Sequence, residues 1–225
     1  MRPGYTEELI IIGAGGTSRD IAWAVEEINE ITPRWNILGF LDDDPAKAGD
    51  KIHGYPVLGA IDRVSFYPSA RLIVGVASYR NQGVRKKIVE QLNFAPERYA
   101  TVIAPSARVS RSVRIGVGSA VLQCAVVSPD AVIGDHTLLT QSCVICHNAV
   151  LSDYSTLAVH VTVCGSARLD EGVYAGAGST IRDGITVGCG AVVGMGAVVV
   201  SDIAPRDLVA GNPARSLLDR AKAER

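Results

Sequence analysis

Every sixth residue from Ile103 to Val199 is Val, Ile, Leu or Ala, and the register never slips. Two positions before each of these lies a mostly small residue, as at Ala107, Ser119, Ala125, Ala131, Cys143 and Ala197. A period of six fits neither the 3.6 of a helix nor the alternation of a simple strand. It marks short strands stacked into a parallel β-helix. Each hexad makes one side of a triangular coil, with the aliphatic residue and its small neighbour pointing inward. Three hexads close a coil of about 18 residues, and coils stack at about 4.8 Å. Residues 18 apart in sequence therefore lie directly over one another.

The first hundred residues follow a different pattern. Residues 8–14 (ELIIIGA) form a short apolar run that predicts a buried parallel strand, and it ends in Gly13-Ala14-Gly15-Gly16. A helix should follow, capped by Thr17 or Ser18, with Ile21, Ala24, Val25 and Ile28 on one apolar face. A second strand over 37–41 runs into Asp42-Asp43-Asp44, a third is expected over 71–77, and a second helix over 81–92 carries Arg85, Lys86 and Lys87. Strand, glycine turn, helix, strand and acid make the first half of a dinucleotide-type fold. There, glycines let phosphates approach backbone N–H groups, and the acid can bind a ribose. The glycine pattern is imperfect, with Ser18 at the third glycine. A part of this length is too short for a complete two-half domain, which points to a nucleotide-linked substrate rather than a dinucleotide.

These readings divide the chain into an α/β Rossmann-like domain for a nucleotide-linked substrate over 1–100 and a β-helix with a C-terminal cap over 101–225. The last ten residues suggest a short terminal helix. A formal net charge of -1 and the absence of a basic run exclude bulk electrostatic binding to nucleic acid. No apolar run reaches the length of a membrane span, and Met1, Arg2, Pro3 and Gly4 lead straight into a strand, so a cytoplasmic protein is expected. The five cysteines do not form a disulfide framework; Cys146 and Cys164, 18 apart, should stack as free thiols.

A packed solenoid has no interior cavity, so chemistry must sit on its surface or between subunits. His53 and His136 read as exposed and inert. His147 and His160 should project outward or lie at corners, and histidine is the side chain suited to accept a proton near neutral pH. Gly165 stacks one coil beyond His147 and leaves space beside its ring.

Together, the segment 11–16, Phe40-Leu41-Asp42-Asp43-Asp44, the continuous hexads, Ser142-Cys143-Val144-Ile145-Cys146-His147 and the closing Gly211-Asn212-Pro213-Ala214-Arg215 resemble the hexapeptide-repeat acyltransferases of nucleotide-linked sugars. The branch contains bacillosamine and perosamine N-acetyltransferases and sialic acid O-acetyltransferases. The resemblance implies a left-handed β-helix, a homotrimer with sites between subunits, acetyl-CoA as donor and a nucleotide sugar as acceptor, with no metal. It implies His147 as general base and Asn148 as the residue orienting it, where the family usually has an acid. Gly165, Ala177, Met195 and Arg215 would border the CoA, and Gly13, Gly15, Asp42 and Asp43 would hold the nucleotide. Thr156, where a second histidine often stands, and His160 would lie toward the substrate. Three other readings use the same residues: transfer to a sugar hydroxyl, a non-catalytic nucleotide-sugar-binding scaffold, and zinc-dependent hydrolysis through His136, His147 and His160.

Overall fold

The computed structural model describes residues 4–80 and 83–217. The expected terminal helix falls largely beyond them, as do residues 1–3. β1 (Glu7–Ile12), β2 (Trp35–Leu41) and β5 (Arg71–Val74) form a parallel sheet in the order β2-β1-β5. Helix α1 (Gly16–Ile31) follows β1, the hairpin of β3 (Lys51–Ile52) and β4 (Tyr55–Pro56) follows β2, and α2 (Val84–Leu92) follows β5. β1 is central because it is apolar on both faces: Leu9, Ile10, Ile11 and Ile12 are all fully buried.

The cap of α1 differs from expectation. Gly15 occupies the N-cap with no side-chain hydrogen bond, and Thr17 and Ser18 lie inside the first turn. Ser18 is buried against Gly75, where an added Cβ would stand 2.4 Å from Ser18 Oγ and 2.9 Å from its Cα. Close helix–strand packing, which normally needs the third glycine of the turn, is supplied here by a glycine just after β5. The serine is tolerated because its partner strand gives up a side chain.

From Val102 onward the chain is a left-handed parallel β-helix of about six coils. Its first face begins with Val102–Ile103 and returns at Ala120–Val121, Leu138–Leu139, Thr156–Leu157, Tyr174–Ala175 and Val192–Val193. The second face runs from Arg108–Val109 to Val198–Val199 and the third from Arg114–Ile115 to Thr186–Val187. Paired residues are 18 apart up to Val199, as in Val126↔Val144 and Val144↔Thr162, and 16 apart at the closing pair Val192↔Leu208. The inward aliphatics Val121, Leu139, Leu157 and Val193 belong to one continuous core. The first face closes with Leu208–Ala210 and an antiparallel Arg215–Ser216.

The corners obey a second period of six that hydropathy does not reveal. One residue per corner has positive φ, from Gly118 and Cys124 through Asn148, His160 and Ser166 to Gly196. From His136 onward its N–H donates to a carbonyl of the preceding coil, as Asn148 to Pro129, His160 to Gln141 and Ser166 to His147, whereas Cys124 and Asp130 donate to the Ser106 and Ser112 hydroxyls. The αL conformation costs a non-glycine residue roughly 1 kcal/mol, and each such corner bond offsets that cost.

The α/β part docks on the first face. Outward residues Val102, Ala120 and Leu138 share a core with Leu9, Ile21, Ala24 and Phe40. Higher on the same face, Thr156 meets Arg85 and Tyr174 meets the ring of Tyr79. His136 corrects the reading of an exposed corner, being 4% exposed. Its ring stacks on Tyr154 at 5.4 Å and takes the edge of Tyr99 at 4.7 Å. It occupies the space left at Gly118, where a Cβ would lie 2.3 Å from its Nδ1. His53 is exposed, as read, and pairs with Glu26 at 3.0 Å.

Burial pushes the His136 pKa down from its ordinary 6.5 to about 4, against the opposing pull of Asp135. Between these values the unfolded chain binds more protons than the folded one. Stability therefore falls as pH drops from about 6.5 toward 4, by up to about 3 kcal/mol. Urea midpoints measured at pH 7 and pH 4.5 should fall sharply for the native chain and less for His136→Phe; equal falls would contradict this.

Candidate active site

The glycine turn and the acids after β2 form one cleft of about 350 Å³, lined by Gly13, Gly15, Thr17, Asp42, Asp43 and Lys47. Val76, Val84 and Ile88 close its other side. The sequence-predicted nucleotide residues are thus brought together. Asp42 Oδ2 accepts the Ala14 N–H at 2.7 Å and the Lys47 ammonium at 3.0 Å, while Oδ1 accepts the Asp44 N–H at 2.9 Å. Burial alone would raise the Asp42 pKa, but the hydrogen bonds from Asp44, Lys47 and Ala14 together hold it below the usual carboxylate range. The carboxylate is therefore charged and fixes the turn from below. Asp43 is exposed and accepts the Ile61 N–H at 2.8 Å. The unpaired donors of the turn, at the start of α1, suit phosphate oxygens.

His147 and Asn148 lie at the corner between the second and third faces, both exposed. Asn148 is the left-handed residue of that corner, with φ 59°. This conformation turns its side chain back, and its Oδ1 lies 3.1 Å from His147 Nδ1. An amide oxygen only accepts, so this contact places the proton on Nδ1 and leaves the Nε2 lone pair free. A Cβ at Gly165 would stand 2.7 Å from His147 Cε1 and 2.9 Å from Nε2. The ring therefore lies flat over a position that no side chain could occupy without moving it.

Cys146 and Cys164 stack beside this corner as free thiols, and burial, with Cys146 adding to it, raises the pKa of Cys164. Ala177 and Met195 stack at the other edge of the second face, with His160 one coil below them. Met195 is 79% exposed, a large apolar side chain offered to solvent in a single chain. Arg215 is exposed at the end of the first face. Thr156 has another occupation: it is buried, and its hydroxyl accepts from Arg85 Nη2 at 2.8 Å.

The three solenoid histidines stand at three different corners, so a single chain does not gather them around a metal. Among the described residues no group of three His, Cys, Asp or Glu side chains forms a metal site. No helix among them is long and apolar enough to cross a membrane.

One cleft escaped the sequence. About 650 Å³ opens where the α/β part lifts off the upper coils, lined by Tyr79, Arg80, Lys86, Tyr154, Glu171 and Arg206. Lys86 bridges it to Glu171 at 2.6 Å. One wall comes from the loop after β5 and the other from corners far along the chain.

Residues 8–92 match the family model of the PglD N-terminal domain. No curated protein sequence matches the chain significantly. Among solved structures, the acetyltransferase domain of PglB from Neisseria gonorrhoeae FA1090 is 29% identical, with a TM-score of 0.82 over 94% of this chain and 100% of that one. The same domain has been solved with acetyl coenzyme A. PerB from Caulobacter crescentus, solved with CoA and GDP-perosamine, is 28% identical, with a TM-score of 0.80 over 93% of this chain and 96% of that one. WeeI from Acinetobacter baumannii AYE is 26% identical, with a TM-score of 0.80 over 94% and 100% of the two chains.

Asp42→Ala should release the Ala14 and Asp44 N–H groups and leave Lys47 with Asp44 alone, at 3.6 Å. A loss of about 1–3 kcal/mol is expected in urea unfolding; a change below 0.5 kcal/mol would show that the turn holds itself.

Proposed function

We propose that this chain, built as a hexapeptide-repeat nucleotide-sugar acetyltransferase behind a PglD-type N-terminal domain, moves an acetyl group from acetyl-CoA to the amine of a nucleotide-linked amino sugar. The single observation that carries the reading is the His147 ring, held by Asn148 and lying over the bare Gly165. His147 Nε2 takes the proton of the acceptor amine as its nitrogen bonds to the thioester carbonyl carbon. When the carbon–sulfur bond breaks, that proton passes to the departing thiolate. A backbone N–H near Gly165 would stabilise the oxyanion. Asn148 sets the tautomer but supplies no negative charge, so the imidazolium is stabilised less than beside a carboxylate. The product is an N-acetylated nucleotide sugar of the kind consumed in glycan assembly.

In this reading Gly13, Gly15, Asp42 and Asp43 hold the nucleotide. Gly165, Ala177, Met195 and Arg215 border the CoA, with His160 beside them on the substrate side. The solenoid is a three-sided prism, and the corner of His147 is the one opposite the face on which the nucleotide cleft is docked. One chain therefore separates its base from its own acceptor cleft. This supports a homotrimer in which the cleft of one subunit serves the histidine of another, and in which exposed Met195 is covered. Thr156, engaged by Arg85, then supports the acceptor domain rather than touching the sugar.

Purified protein given acetyl-CoA and a panel of nucleotide-linked 3-amino and 4-amino sugars should release free CoA thiol. His147→Ala should lower kcat at least 100-fold; near-normal turnover would end the assignment of the base. Release only with sugar hydroxyl acceptors would replace N-transfer by O-transfer. The shared site has its own test, because Gly15 has open space around it and Gly15→Trp can block the cleft without disturbing the fold. Co-expressing His147→Ala and Gly15→Trp chains should restore activity that neither has alone, whereas no restoration would place the whole site within one subunit.

A further inference from the structure

Arg85 is buried, 2% exposed, yet no carboxylate lies within ion-pair distance of it among the described residues. Its Nη1 donates to the Val76 carbonyl at 3.0 Å, and its Nη2 lies 2.6 Å from the Tyr154 carbonyl, 3.0 Å from that of Ser155 and 2.8 Å from Thr156 Oγ1. Burial lowers its pKa to about 10, so the guanidinium stays charged at neutral pH. Burying a cation against neutral oxygens alone costs several kcal/mol of desolvation, and a packed apolar side chain would join the two parts more cheaply. The arrangement does something that packing does not.

What it does follows from where its acceptors lie. Tyr154, Ser155 and Thr156 belong to the solenoid. Val76 is a wall of the nucleotide cleft, and its side chain lies against the glycine turn, since a Cβ at Gly13 would stand 2.6 Å from Val76 Cγ2. Arg85 is itself on α2, whose Val84 and Ile88 line the same cleft. A directional fork thus ties one coil of the solenoid to the wall that sets the space over Gly13. Apolar contacts below it, at Ala120 and Leu138, hold the two parts together but permit sliding; hydrogen bonds fix both distance and angle.

We propose that Arg85 is a positioning residue for the acceptor: it registers the nucleotide cleft against the solenoid, so that loss of the fork loosens nucleotide binding without touching the acetyl donor. The inference rests on the reading of the Gly13–Asp42 cleft as the nucleotide site.

Isothermal titration of the full chain with UDP, GDP and dTDP, together with steady-state kinetics, tests it. Arg85→Met keeps the volume and removes the charge. It should leave folding intact, raise the Kd of the nucleotide that the native chain binds at least tenfold, and leave the KM for acetyl-CoA within twofold. Arg85→Lys, able to reach one side of the fork, should recover part of the affinity. A merely structural role would lower the binding stoichiometry and leave the Kd unchanged, and that result would overturn the proposal. Should Arg85→Met fail to fold, Thr156→Val removes one acceptor and should still weaken the nucleotide two- to fivefold; an unchanged Kd there would equally overturn it. If the native chain binds none of the three nucleotides, the reading of the cleft fails first and takes this inference with it.

Discussion

From Gly118 upward each corner of the β-helix turns on a residue held at positive φ, and from His136 onward its N–H reaches back to a carbonyl of the coil beneath. That bond repeats at an interval set by the corner rather than by the side chain, so coils cannot slide against one another. Register on the faces follows from it, and so do the straight columns of residues spaced by 18. The consequence reaches the candidate active site directly. Asn148 is one of these left-handed residues, and the conformation that closes the corner also turns its amide toward His147. Orientation of the His147 ring is thus a by-product of the same constraint that builds the solenoid.

The two parts of the chain meet along one column of outward residues, and the column changes character as it rises. Val102, Ala120 and Leu138 are buried among apolar side chains, Thr156 takes a charged hydrogen bond, Tyr174 meets another ring, and Val192 borders open space. The α/β part is anchored at its base, oriented in the middle and free at the top. This gradation places its cleft over one face while the opposite corner carries the histidine.

Much of this was legible in the sequence, because a fixed period converts numbering into adjacency. His147 over Gly165 and Cys146 beside Cys164 follow from the interval of 18, and the resemblance to nucleotide-sugar acyltransferases is borne out by the N-terminal family match and by the solved structures. The features that were not legible arise where segments without a common period meet. His136 is buried because Tyr99 and Tyr154 close over it, and the cap of α1 is Gly15 because Ser18 is drawn inward against Gly75. Arg85 is followed by Lys86 and Lys87 in an ordinary helix, so nothing local distinguishes a buried guanidinium from an exposed one.

The opposition between the docked face and the corner of His147 bears on how the chain tolerates changes in length. An added hexad anywhere between Ala104 and His147 would preserve every local rule of the coil, since the aliphatic position and the corner bond would both recur on time. It would nevertheless turn everything above it by one side of the prism and bring the histidine to a corner bordering the docked face. Three added hexads would lift the histidine by one coil and leave its direction unchanged. For the coil itself, insertions are acceptable in sixes; for the facing of the docked column and of His147, only in eighteens.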